Sequence, residues 1–205
     1  MGAVAGTLVI ACGALAREIV ALRQANDWPH MDVQCLPAEL HNRPEKIPAA
    51  VREKIRANRG RYASMFVAYA DCGTGGLLDA VLAEERVERI PGAHCYEFFA
   101  GSAVFAALAD SEPGTFYLTD FLLRHFERLI IHGLGIDRHP ELMGQYFGNY
   151  RKLIYLAQVE SPGSIQDAQR AADRLGLAFE YRVTGYGELE HSLRGAQVGV
   201  ISWQN

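Results

Sequence analysis

Residues 65–85 read MFVAYADCGTGGLLDAVLAEE: an apolar run, Met65–Ala70, a turn, Asp71-Cys72-Gly73-Thr74-Gly75-Gly76, and a helical pattern, Leu77–Glu85. Phe66, Val67 and Tyr69 favour a strand. The glycines break it, and the alanines, leucines and glutamates that follow favour a helix. The same order opens the chain, where Thr7–Ala11 leads through Cys12-Gly13 into Ala14–Gln24. Working outward, strand-length apolar runs recur at Asp32–Leu36, Thr115–Thr119, Leu153–Gln158, Ala178–Val183 and Val198–Trp203. Helical patterns lie between them at Pro44–Asn58, Tyr96–Leu108, Asp120–Leu129, Ser164–Leu175 and Gly187–Leu193. In Pro44–Asn58, Ile47, Val51 and Ile55 share one face, and Arg52, Glu53, Lys54 and Arg56 face outward. Strand–helix alternation predicts an α/β fold, a mostly parallel sheet flanked by helices in the Rossmann-like manner. Burial of such a sheet on both faces accounts for strands that are apolar throughout instead of alternating.

The 205 residues suit a single α/β domain. Ser111-Glu112-Pro113-Gly114 is the clearest break, and it allows two similar lobes, 1–110 and 114–205. Gly133–Asn149 is irregular and reads as a packed connection. Hydrophobic residues at 49% and charged residues at 21% supply a core and exclude disorder as the main state. A net charge of -4 gives no basic footprint for nucleic acid and no attraction to an acidic membrane surface. No apolar stretch approaches the ~20 residues of a membrane span. Met1–Ala11 before Cys12 resembles a lipoprotein signal, but no Lys or Arg precedes the apolar run. Gly6 stands where a myristoylation signal needs Ser or Thr. The expectation is a cytoplasmic protein with reduced thiols. Its four cysteines are too few for a disulfide scaffold.

The cysteines carry the functional signal. Cys12 ends the first strand, Cys72 follows the third, and Cys95 opens a helix after Pro91-Gly92-Ala93-His94. In a parallel sheet the carboxyl ends of the strands share one edge, where ligands bind. Helix N-termini lower a thiol's pKa, and thiolates gathered on one edge repel one another unless a cation neutralises them. The cysteine spacings are 23 (12 to 35), 37 (35 to 72) and 23 (72 to 95), with no C-x-x-C pair, so a zinc ribbon does not fit. Ligands supplied one per strand end suit a 4Fe–4S cluster held by Cys12, Cys72 and Cys95 with an open iron, or alternatively a zinc ion. The plainer reading is that cysteines act as small core hydrophobes, and it is strongest for Cys35, which lies inside a strand run.

Glu39 and His41 follow the second strand, on the same expected edge, as candidate proton carriers, with His41 also a candidate metal ligand. Their plainer reading is a solvated loop. His94 and Glu97 flank Cys95 as outer members, and Glu97 also suits the first turn of a helix. Gly73, Gly75 and Gly76 are candidate cofactor-binding residues, because a glycine-rich turn before a helix can cradle a phosphate. The turn lacks the P-loop lysine and the full G-x-G-x-x-G order. Asp137-Arg138-His139-Pro140 is a weaker candidate for projecting into a cleft. No G-x-S-x-G elbow supports a serine hydrolase.

Ala11-Cys12-Gly13-Ala14-Leu15, Leu36–Pro44, Asp71–Gly76, Pro91–Glu97, Gly114–Asp120 and Gly148-Asn149-Tyr150-Arg151-Lys152 resemble a prokaryotic family catalogued as a domain of unknown function. Genes of that family often lie beside corrinoid-dependent methyltransferases. The resemblance implies a place in anaerobic one-carbon metabolism and carries over Cys12, His41, Cys72 and Cys95, with Glu39, His94 and Glu97 behind them. Cys35 is less typical of the pattern. The expected function is metal or iron–sulfur binding linked to corrinoid methyl chemistry, with a small molecule or a corrinoid protein as partner. The alternative is a non-catalytic metal-delivery or assembly protein. A homo-oligomer is compatible with either.

Overall fold

The computed structural model describes residues 6–198. β1 (Thr7–Cys12), β2 (Met31–Leu36), β3 (Ser64–Ala68) and the two-residue β4 (Glu88–Arg89) form one sheet in the order β2-β1-β3-β4. β5 (Thr115–Thr119), β6 (Lys152–Ala157) and β7 (Ala178–Val183) form a second, in the order β5-β6-β7. Every pairing in both is parallel. The fold is therefore the expected α/β alternation of parallel strands and helices, realised as two sheets. The central strands are the most apolar. Leu8–Ala11 of β1 and Leu153–Ala157 of β6 are almost wholly buried, because neighbours flank them on both edges and helices cover the faces.

The chain divides into two compact units. One holds the described residues up to Phe98 and those from Glu188 onward; the other is Phe99–Gly187. In sequence, Ser111–Gly114 falls after β4 and immediately before β5. The units nevertheless differ from contiguous halves 1–110 and 114–205, because α5 (Ser102–Ser111) belongs to the second unit and α9 (Leu189–Val198) returns to pack on β3 and α1 (Ala16–Ala25). In the second unit α8 (Pro162–Leu175) buries Ala168, Ala171, Ala172 and Leu175 against Leu153, Tyr155 and Ala157.

Several helices follow the predicted pattern closely. α2 (Ile47–Asn58) buries Ile47, Val51 and Ile55, and α3 (Leu77–Glu85) has the predicted bounds. The helix expected over Tyr96–Leu108 is instead two, α4 (Cys95–Ala100) and α5. Gly101 separates them at φ 82°, ψ 137°, which no helix tolerates. The helix expected over Asp120–Leu129 is also divided. α6 (Asp120–Arg124) ends at His125, and Glu127–His132 continue as a π-helix. The irregular stretch Gly133–Asn149 contains one short helix, α7 (Leu142–Phe147). Of the strand expected over Val198–Trp203, Val198 closes α9 and the remainder lies outside the described residues.

Candidate functional site

The register of the first sheet sets the site. Ala11 of β1 pairs with Ala68 of β3, and Cys12 pairs with Leu36 of β2. Cys12 and the Tyr69–Cys72 segment therefore leave the sheet on the same carboxyl edge. Gly13 allows β1 to turn close beneath the exit of β2: a Cβ there would stand 3.0 Å from the Leu36 carbonyl oxygen and 3.4 Å from the Ala38 nitrogen. The exit of β2 is Pro37 and a single helical turn, Ala38–Asn42, that carries Glu39 and His41. The segment bearing His94 and Cys95 is strapped to the Cys72 loop. The Asp71 N–H donates to the Gly92 carbonyl at 3.0 Å, and the Cys72 N–H donates to that of Ala93 at 2.8 Å.

Asp71 shapes this loop. Its carboxylate accepts from the Thr74 hydroxyl at 2.6 Å, the Gly76 N–H at 2.9 Å and the Gly75 N–H at 3.1 Å. Cys72 itself adopts a left-handed backbone at φ 51°, a strained choice for a residue with a Cβ. The same loop that reads as a phosphate cradle is therefore closed by its own acid. The amides of Gly75 and Gly76 are engaged, and a phosphate would meet a carboxylate where it needs donors. Together with Gly73 at φ 82°, these glycines turn the chain at Cys72.

At the centre, Cys12 is 3% exposed, and its Sγ accepts from the Ala14 N–H at 3.3 Å. His41 Nδ1 lies 3.6 Å from that sulfur and 3.2 Å from the Ala38 carbonyl oxygen. A carbonyl only accepts, so Nδ1 carries the proton and the lone pair is on Nε2. Burial lowers the His41 pKa, the Ala38 bond opposes this, and the charge of His94 adds to it. The residue as a whole is exposed, so the depression belongs to a partly desolvated imidazole. His41 is neutral at pH 7.

The thiols correct one expectation. Helix starts were expected to favour thiolates; burial instead dominates at all of them. It pushes Cys12 up to about 12 against the Ala14 N–H, and Cys72 up to about 11 against a backbone hydrogen bond. Cys95 is raised well above an ordinary thiol, again by burial first. The residue is half-buried, and the pKa shift reflects a sulfur that sits among protein atoms. The charge of Cys72 acts on Cys12, and those of Cys72 and Cys12 act on Cys95, so the sulfurs lie within electrostatic reach of one another. All are free thiols, Cys35 included; it is exposed on β2 and stands at the margin of the group. Among the described residues, no three His, Cys, Asp or Glu side chains are arranged to hold a metal ion. The donors are of the soft kind that suits zinc or an iron–sulfur cluster. They converge without forming a closed cage.

A family model described as "Protein of unknown function (DUF1638)" matches residues 35–193. The chain belongs to the DUF1638 family. No curated protein and no solved structure matches it. The DUF1638 match includes Cys35, His41, Tyr69, Cys72 and Cys95, and Cys12 precedes it.

Other candidates in this DUF1638 chain have different places. Glu39 is exposed in the turn after β2. Glu97 accepts the Ala93 N–H at 2.8 Å and so braces the loop before α4 instead of facing a sulfur. His94 is exposed, with its ring 6.2 Å from that of Tyr96. Asp137, Arg138 and His139 belong to the second unit, where Asp137 pairs with His132 at 2.9 Å. Two site residues were missed from sequence. Asp71 reads as a turn former, and Tyr69 reads as one more apolar position of a strand. Among the described residues no helix is long and apolar enough to cross a membrane.

Proposed function

We propose that this protein binds a thiophilic metal centre through Cys12, Cys72 and Cys95, as a 4Fe–4S cluster or alternatively as zinc. The observation that carries the reading is that buried Cys12 and Cys72 and half-buried Cys95 lie within electrostatic reach of one another, with neutral His41 against Cys12. Neutral thiols release protons as they take a metal. The Ala14 N–H donates to Cys12 Sγ, so it favours the ionised form once a cation arrives. A bound centre would supply a Lewis-acidic or redox-active position beside His41.

In this reading the chemistry serves anaerobic one-carbon metabolism in the cytoplasm, with a corrinoid protein or a small molecule as partner; the family resemblance supports the metabolic setting, and the missing positive n-region ahead of Cys12 supports the location. The unclosed arrangement of the thiols favours a second reading, a carrier that loads and releases metal without turnover. Elemental analysis and a visible spectrum of protein purified without oxygen test the metal reading. Bound iron or zinc near one centre per chain is expected, and Cys72→Ser removes most of it. Unchanged content in that variant excludes Cys72 as a ligand. Mixing loaded protein with a corrinoid protein and a methyl donor then separates methyl transfer from metal transfer.

A further inference from the structure

In the second unit a cleft of about 610 Å³ lies between α8 and the junction of α6 with the π-helix. Its size is that of a small-molecule site. Arg124 and Arg128 line one side, and Arg170 and Arg174 line the other. In each pair the arginines stand four residues apart, a spacing at which like charges on a helix repel. Among the described residues, Glu127 and Asp167 are the carboxylates that line the cleft with them. Four positive charges thus face two negative ones, in a chain whose net charge is -4. Helix C-termini account for Arg124 and Arg174, each in the last turn of its helix. They do not account for Arg128 and Arg170. Arg170 pairs with Asp167 and Arg174 with Glu127, but all four of these side chains are exposed. Exposed pairs hold weakly, so both guanidinium groups can turn to a better acceptor. Phe126 and Ala171, both buried, give the lining an apolar part. At Glu127–Arg128 the chain enters the π-helix, a rare geometry that recurs at functional sites.

We propose that this cleft binds a small phosphorylated molecule. Its phosphoryl group is held among Arg124, Arg128, Arg170 and Arg174, and its apolar body rests against Phe126 and Ala171. The surplus of two positive charges matches a phosphoryl group, which carries ~1.5–2 negative charges at pH 7. Guanidinium forks meet phosphate oxygens two at a time, which is why arginine suits this ligand better than lysine. A nucleic-acid strand needs a basic footprint, and the net charge of -4 gives none. No cysteine lines the cleft, and its ligand is independent of any metal at the thiols.

Calorimetric titration of the full chain at low ionic strength, with phenyl phosphate, inorganic phosphate and benzoate, tests this. Phenyl phosphate is expected to bind with a Kd of about 1 mM or tighter. It should bind at least about fivefold better than inorganic phosphate, which lacks the apolar body, or benzoate, which lacks the second charge. The double variant Arg128→Gln, Arg170→Gln is expected to lose about tenfold in affinity. It should melt near the wild-type temperature, because exposed substitutions change stability little. Arg194→Gln, at an exposed arginine of the first unit, should bind as wild type does. Absence of phenyl phosphate binding, or equal affinity in the double variant and wild type, overturns the proposal. An equal loss in Arg194→Gln or equal affinity for benzoate also overturns it, since either marks unspecific anion binding. Tighter binding of a single-stranded oligonucleotide overturns it in favour of nucleic acid. Should the double variant fail to fold, Arg170→Gln alone carries the test: about a threefold loss is expected, and unchanged affinity overturns the proposal.

Discussion

Asp71 holds the turn in which Cys72 sits, through the Thr74 hydroxyl and the Gly75 and Gly76 amides. Burial raises the Asp71 pKa, but the Thr74 hydroxyl, the Gly76 and Gly75 amides and Arg89 together outweigh it, and the net shift is downward. A folded pKa below the unfolded one contributes stability that is fully present above the unfolded value of about 3.9 and is lost as pH falls through the lower folded value. Asp71→Asn keeps the shape and replaces one accepting oxygen with a donor. It is expected to lower stability by about 1 kcal/mol at pH 7, a solvent-discounted figure for a half-exposed group. The difference should shrink toward zero near pH 3, as urea unfolding at the two pH values would show. A deficit of equal size at both would mean that ionisation is not what the loop uses. The positions of Cys12 and Cys72 after strands and of Cys95 at a helix start were legible in the sequence, because glycines and apolar runs mark those boundaries. Their protonation was not, since spacing carries no information about desolvation. Tyr69 was not legible either, because nothing in an apolar run shows that its ring stacks on His41.

At the scale of elements, apolar runs located β5, β7 and α3 to the residue, because their apolar content and their boundaries agree. β4 escaped notice because two residues, Glu88 and Arg89, pair only with Phe66 and Val67 and have no apolar run of their own. The α4–α5 break rests on one glycine inside an otherwise helical pattern, where a lone glycine only lowers helix propensity. Its φ and ψ lie where a Cβ is not accommodated, so Gly101→Ala is expected to destabilise the chain by about 1–3 kcal/mol. Circular dichroism should show nearly unchanged helix content and a lower melting temperature. A gain in both would mean that the two helices prefer to fuse. Between α2 and α3, Glu85 binds Arg59 at 2.6 Å, Arg56 at 2.7 Å and Arg52 at 3.9 Å, with its side chain 6% exposed. Arg59 first, then Arg56, holds its pKa low against burial. Its contribution to stability is therefore present at neutral pH and lost in acid. Glu85→Gln should melt below wild type at pH 7 and converge with it as the pH falls below the ordinary carboxylate range.

In the whole molecule, the carboxyl edges of the two sheets have opposite character. Asp120 in the second unit is buried at 8% exposure and fully engaged. It accepts from the Tyr155 hydroxyl at 2.7 Å, the Val159 N–H at 3.0 Å and the Gln158 N–H at 3.1 Å, and its own N–H donates to Gln158 Oε1. A buried carboxylate with every neighbour answered pins β5 to β6 and leaves little for a ligand to satisfy. The first sheet's edge holds buried thiols kept protonated by desolvation, beside His41 and the Tyr69 ring stacked on it. Asp120→Ala orphans a buried hydroxyl and two amides, so it is expected to cost about 3 kcal/mol of stability. Metal content per folded molecule should stay at the wild-type level, because no thiol lies in that unit. Cys72→Ser should do the reverse. It should empty the proposed metal site while hydrogen exchange in β5 and β6 stays as slow as in wild type. Loss of metal in Asp120→Ala protein that remains folded would show that the second edge takes part in the chemistry, and the division of labour between the sheets would have to be redrawn.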